Sequence, residues 1–172
     1  MKLSTKGRYA VMAMADLARH AGKKPIALGE IAGRQEISLS YLEQLFAKLR
    51  RGGIVRSVRG PGGGYFLARD PDDVSIADII LAVDEPIKAT RCKTSSAEGC
   101  LGNGTRCITH NLWDELSRQI HLFLSEVSLG DVIHRRVLGR SGVYGSVTDV
   151  PPAPVAVPRQ VDPAPAHLLA GE

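Results

Sequence analysis

Ser40-Tyr41-Leu42-Glu43-Gln44-Leu45-Phe46-Ala47-Lys48-Leu49-Arg50-Arg51-Gly52-Gly53 reads as one amphipathic helix with a start and a stop signal. Leu42, Leu45, Phe46 and Leu49 recur at i, i+3, i+4 and i+7, so one helical face is apolar. Ser40 followed three residues later by Glu43 predicts a capping box, and the glycine pair predicts the end of the helix. The opposite face carries Tyr41, Gln44, Ala47, Lys48, Arg50 and Arg51. A helix with a greasy back and a polar, basic front needs a core behind it and invites a polyanion before it.

The flanks supply that core. Upstream, Ser4 and Thr5 can cap a helix over residues 6–20, with Ala10, Val11, Met14, Leu17 and Ala18 on its apolar side. A shorter segment over residues 28–35 places Leu28, Ile31 and Ala32 together, and Ile37-Ser38 turn the chain. Downstream, residues 54–58 and 65–68 alternate as short strands around Arg59-Gly60-Pro61-Gly62-Gly63-Gly64, which predicts a hairpin with a flexible tip. Helix, short helix, turn, helix and hairpin is the order of a winged helix-turn-helix. The expected fold class is therefore mainly α with a small β wing, followed by a long dimerisation helix.

Such a module inserts the capped helix that begins at Ser40 into the DNA major groove, whose width of about 12 Å admits a single helix. Ser40, Tyr41 and Gln44 can donate or accept at base edges and phosphates. Glu43 can accept from a cytosine amine, in competition with its capping role. Lys48, Arg50 and Arg51 can neutralise phosphates, and the hairpin offers Arg56 and Arg59. Charge agrees with this placement: residues 1–70 hold thirteen Lys/Arg against five Asp/Glu, whereas the remainder holds nine against thirteen. The glycine-rich tip is not a nucleotide-binding loop, because no Gly-Lys-Ser/Thr and no helix follow it.

The rear half reads differently. Val74, Ile76, Ile79, Ile80 and Val83 predict a helix over residues 75–84, and residues 86–106 read as loop. A long helix is expected over residues 109–127, with Leu112, Leu116, Ile120, Phe123 and Val127 as its stripe and Trp113 and Leu124 widening it. A stripe this long, after the first module has closed its own core, predicts pairing with a second copy. A short helical piece begins at Ser128. Six of the ten prolines lie between Pro151 and Pro165, which predicts a disordered Pro/Ala/Val-rich tail. The expected organisation is a DNA-binding domain over residues 1–84, a ligand-bearing loop over 85–110, dimerisation and following helices over 111–138, and the tail over 139–172.

All three cysteines and one histidine fall in the loop: Cys92, Cys100, Cys107 and His110. Three thiolates and an imidazole make a four-donor set for tetrahedral zinc or a small iron–sulfur cluster. Zinc sites favour closely spaced pairs, whereas the gaps here are seven and six residues, with only Cys107-x-x-His110 tight. Cys107 beside His110 could also suggest a nucleophile and base, but that leaves two cysteines unexplained and supplies no oxyanion donor, so an enzyme is not expected. An odd cysteine count argues against a disulfide framework. The strongest apolar run, residues 76–83, is interrupted by Asp78 and too short for a bilayer, and the first residues lack a signal-peptide apolar segment. A cytoplasmic protein without a membrane partner is expected.

Lys6-Gly7-Arg8-Tyr9-Ala10, Ile37-Ser38-Leu39-Ser40-Tyr41-Leu42-Glu43-Gln44-Leu45-Phe46, and Val58-Arg59-Gly60-Pro61-Gly62-Gly63-Gly64-Tyr65 resemble the IscR-type family of bacterial iron–sulfur cluster regulators. The likeness continues through Ala82-Val83-Asp84-Glu85, the Cys/Cys/Cys/His set and Leu112-Trp113, and covers roughly residues 1–135. The resemblance implies a homodimeric winged-helix repressor of iron–sulfur biogenesis genes. It implies a [2Fe–2S] cluster on Cys92, Cys100, Cys107 and His110, with double-stranded operator DNA as partner and the cluster-assembly machinery as a candidate donor. Similar regulators that sense nitric oxide through a [4Fe–4S] cluster use an N-terminal Asp as fourth ligand. Arg8 stands near that place here, which favours the histidine-ligated type.

Overall fold

The structure is a computed structural model that describes residues 4–88, 100–101 and 103–137. Cys92 and the expected tail lie outside the described residues. Helix α1 (Thr5–Arg19) starts at Ser4, whose hydroxyl accepts from the Gly7 amide at 3.4 Å. It buries Ala10, Ala13, Met14 and Leu17. Helix α2 (Leu28–Gln35) turns Leu28 and Ile31 inward and ends at Glu36, whose φ of 54° is left-handed.

Helix α3 (Leu39–Arg51) buries the expected Leu42, Leu45, Phe46 and Leu49. Its beginning departs from expectation. Ser38, not Ser40, is the N-cap residue, and no side-chain capping bond forms. Glu36 swings the chain so that Ile37 enters the core and Ser38 becomes the last extended residue before the helix. Ser40 and Glu43 therefore sit within the helix, both exposed. Capping boxes occur instead at Ser75 with Asp78 and at Ser128 with Asp131.

Strands β1 (Val55–Val58) and β2 (Gly64–Leu67) pair antiparallel, with Val55 opposite Leu67 and Val58 opposite Gly64. Ile26 adds a one-residue rung through two backbone bonds with Tyr65, of 3.0 and 2.8 Å. That rung requires glycine next door, because a Cβ at position 64 would overlap the Ile26 carbonyl oxygen. The Phe46 and Tyr65 rings meet edge to face at 4.9 Å and weld α3 to the wing.

A 3-10 turn (Pro71–Asp73) leads into α4 (Ile76–Ala82), and later come α5 (His110–Glu126) and α6 (Leu129–Ile133). Helix α4 closes the core with Ile76, Ile79 and Ile80. The end of α5 is bolted to the same module. The Val127 carbonyl accepts from the Ile76 amide at 2.9 Å, the Leu129 amide donates to Val74 at 2.8 Å, and Leu129 is fully buried. The observed architecture is thus the expected one: mostly helical, with a two-stranded antiparallel wing.

Candidate nucleic-acid interface and cysteine–histidine site

Residues 41, 44, 48 and 51 share one stripe of α3, and 40, 43, 47 and 50 share the adjacent one, as helical spacing demands. Ser40, Glu43, Gln44, Ala47, Arg50 and Arg51 are exposed along these stripes. With capping removed from its duties, Glu43 has no hydrogen-bond or ion partner among the described residues. Tyr41 is half-buried, its ring 6.1 Å from that of Tyr9, so it packs as well as presenting a hydroxyl. The Arg50 guanidinium donates to the Ser57 hydroxyl at 3.3 Å, which leans it toward the wing.

Lys48 is placed differently. Its ammonium lies 2.8 Å from the carboxylate of Asp84, the residue after the last turn of α4. Neither Asp84 nor Lys6, which supports it, was legible from α3 alone, since both come from distant parts of the chain.

On the wing, Arg56 is paired across the hairpin with Phe66, and its guanidinium sits 4.3 Å above the ring centre. A cation held on an aromatic face keeps its charge while losing freedom, so Arg56 is presented in one place. The register that produces this pairing is the signal that could have revealed it. Arg59 is exposed at the tip, where Gly60 has a φ of +103°, a backbone state that suits glycine.

The donor set lies at the other end of the molecule's long helix. His110 is the first residue of α5 and the only buried residue on it, at 5% exposure. Its Nδ1 shares a hydrogen bond of 3.0 Å with Cys100 Sγ, which brings together two donors ten positions apart. Cys107 is half-buried, with its sulfur 3.7 Å from the Thr109 hydroxyl, and its carbonyl accepts from the His110 amide at 3.0 Å. Thr109 precedes the helix without capping it, and its hydroxyl accepts from the Trp113 indole at 3.1 Å. Among the described residues no group of three metal-ligating side chains is assembled, and the fourth donor, Cys92, lies outside them. The Cys100–His110 spacing still suits shared coordination. Two such ligands of one tetrahedral metal stand about 3.5 Å apart, given bond lengths near 2.3 and 2.0 Å.

Beyond His110 much of the stripe of α5 stays exposed among the described residues. Leu112 is 60% exposed and Phe123 44%, whereas Leu124 and Val127 reach the core. Ile108, between two donors, is fully exposed. No helix among the described residues is long and apolar enough to cross a membrane.

Residues 3–135 match the Rrf2 family, described as an iron-dependent transcriptional regulator. The chain belongs to that family. It is 56% identical over 133 residues to the HTH-type transcriptional regulator IscR of Aliivibrio salmonicida, covering 77% of each chain. It is also 56% identical over 135 residues to a putative HTH-type transcriptional regulator of Azotobacter vinelandii, covering 78% of this chain and 80% of that one. Among solved structures, T. potens IscR superposes with a TM-score of 0.62 at 39% identity, covering 79% of this chain and 88% of that one. CymR, the global cysteine regulator of B. subtilis, superposes with a TM-score of 0.64 at 32% identity, over 78% and 98%. The Rrf2 assignment makes the protein an IscR-like, DNA-binding transcriptional regulator rather than an enzyme.

Proposed function

We propose that the protein is an iron–sulfur cluster-sensing regulator, a homodimeric repressor of iron–sulfur biogenesis genes whose cluster occupancy controls operator choice. The ligands are Cys92, Cys100, Cys107 and His110, and the cluster is of the [2Fe–2S] type. The observation that carries this reading is the buried His110 ring meeting Cys100 at the head of α5. Bound there, the cluster supplies a redox-active, oxidant- and iron-sensitive group, with one imidazole ligand raising its potential.

The remaining work belongs to the chain. Helix α5 is fastened to the DNA-binding module at its far end by Ile76, Val74 and Leu129, so a change at His110 acts at the opposite end of a helix bolted to that module. Leu112, Leu116, Ile120 and Phe123 supply the apolar face for a second copy, and two-fold symmetry then presents the two α3 helices to successive major grooves, about 34 Å apart. On each half-site Ser40, Glu43 and Gln44 read base edges, while Tyr41, Arg50, Arg51, Arg56 and Arg59 take phosphates or the narrow groove. Occupancy then shifts the population between arrangements that fit different operators.

Anaerobic purification followed by visible absorption, iron and sulfide assay tests the cofactor. A brown protein with about two irons and two sulfides per chain is expected. A colourless one with stoichiometric zinc overturns the cluster assignment. Sedimentation of the loaded protein should give a dimer, and operator affinities of loaded and chelator-stripped protein should differ. Identical affinities on every operator would leave a repressor without a sensor.

A further inference from the structure

Asp84 occupies a position that local preferences disfavour. It follows Val83, the C-cap residue of α4, with a φ of +55°, where glycine or asparagine is the usual choice. A carboxylate at a helix C-terminus also opposes the helix dipole. What it gains is cations. Lys48 Nζ of α3 lies 2.8 Å from its carboxylate, and Lys6 Nζ donates to its carbonyl at 2.9 Å while facing Glu85 at 3.9 Å. Arg51 adds its charge from the last turn of α3, and together these groups hold the Asp84 carboxyl below the usual range, the Lys48 hydrogen bond first.

Lys48 shares its stripe with Tyr41 and Gln44, four residues on from Gln44, so it is on the face that meets DNA. An ammonium there would ordinarily settle on a phosphate. We propose that Asp84 is a specificity-determining residue of DNA binding: its carboxylate keeps Lys48 off the phosphates and so suppresses sequence-independent affinity. The proposal rests on α3 being the DNA-facing helix and is independent of the cluster. An exposed ion pair contributes little to stability, so its effect is sought in binding. Phosphate contacts bring affinity for every sequence alike, and a regulator gains discrimination by withholding one.

The test uses the full chain and a random-sequence duplex, with affinity measured by fluorescence anisotropy from about 50 to about 200 mM salt. Asp84→Asn keeps a residue that tolerates the left-handed backbone while removing the charge. It should steepen the salt dependence by about 0.9 in log–log slope per bound chain, so that across that range affinity falls about 3.5-fold more per bound chain than for the unaltered protein. Lys48→Gln should reverse the steepening in the Asp84→Asn background, and should change the slope of the unaltered protein by less than half as much. An Asp84→Asn slope equal to the original, or a Lys48→Gln loss of equal size in both backgrounds, overturns the proposal. Should Asp84→Asn fail to fold, Lys48→Gln alone decides: a full loss of about 0.9 means that Lys48 already sits on a phosphate. If the unaltered protein shows no salt-dependent binding at all, the α3 reading fails instead.

Discussion

Replacing Asp16 by Asn should cost the protein about 2 kcal/mol at neutral pH. Asp16 is 5% exposed, in the last turn of α1. Its carboxylate accepts from Arg34 Nε at 3.1 and 3.0 Å, Arg34 Nη2 at 2.7 Å and Gln35 Nε2 at 2.9 Å, and the His20 ring lies 3.6 Å away. The Arg34 and Gln35 bonds tie α1 to the end of α2, the helix that precedes α3, whereas His20 caps α1 itself. Asparagine keeps the shape but turns one acceptor into a donor facing donors. Breaking a buried pair costs about 3–5 kcal/mol, and the lower figure of 2 allows for the Arg34 side chain, which is 32% exposed and can rehydrate. For a domain of this size the melting temperature should fall by roughly 6–10 °C, measured by circular dichroism at matched protein concentration because association raises apparent stability. Burial pushes the Asp16 carboxyl up, but the Arg34 and Gln35 hydrogen bonds and the Arg34 charge outweigh it, and the net direction is down. Its contribution is thus fully present above the unfolded aspartate value of about 3.9 and lost as pH falls through the lower native value. The gap between the two proteins should therefore narrow below about pH 4. A loss under about 0.5 kcal/mol at neutral pH, the range of ordinary surface changes, or a gap that persists undiminished in acid, would refute the reasoning.

Four further substitutions have expected outcomes. His110→Ala should leave helix content intact by circular dichroism while lowering iron and sulfide retained after anaerobic desalting; unchanged retention and operator choice would remove His110 from the ligand set. Gly64→Ala should destabilise by about 1–3 kcal/mol in urea and weaken DNA binding, because its methyl group collides with the Ile26 carbonyl and displaces the wing; a neutral result would mean that the rung is dispensable. Arg59→Ala should flatten the salt dependence by about 0.9, whereas Gln44→Ala should mainly cost about 1–3 kcal/mol of discrimination between operator and mismatched sites; equal losses on operator and random DNA would take Gln44 out of base readout.

Periodicity and punctuation made most of the fold legible. Leu42, Leu45, Phe46 and Leu49 could only be the inner face of a helix, and the glycine-rich tip between two alternating runs could only be a hairpin. The start of α3 was misread because Ser40 and Glu43 satisfy the capping rule locally, while the burial of Ile37 and the left-handed Glu36 select Ser38 as the cap. Arg56 was visible as a wing cation, but its seat on Phe66 depends on strand register. The donor set was plain in the amino-acid order, yet nothing in that order says that Cys100 meets His110.

Residue order by itself determined the element types, the buried faces, the basic front half and the four-donor set, because each is a matter of local spacing and side-chain chemistry. Tertiary structure alone decided which charges neutralise each other, which is why Lys48 answers to Asp84 and Arg34 to Asp16. It also decided that, among the described residues, Leu112 and Phe123 on the stripe of α5 stay exposed. Helical and strand periods are read within a few residues, whereas an ion pair or an uncovered face depends on how segments far apart in the chain come to lie side by side.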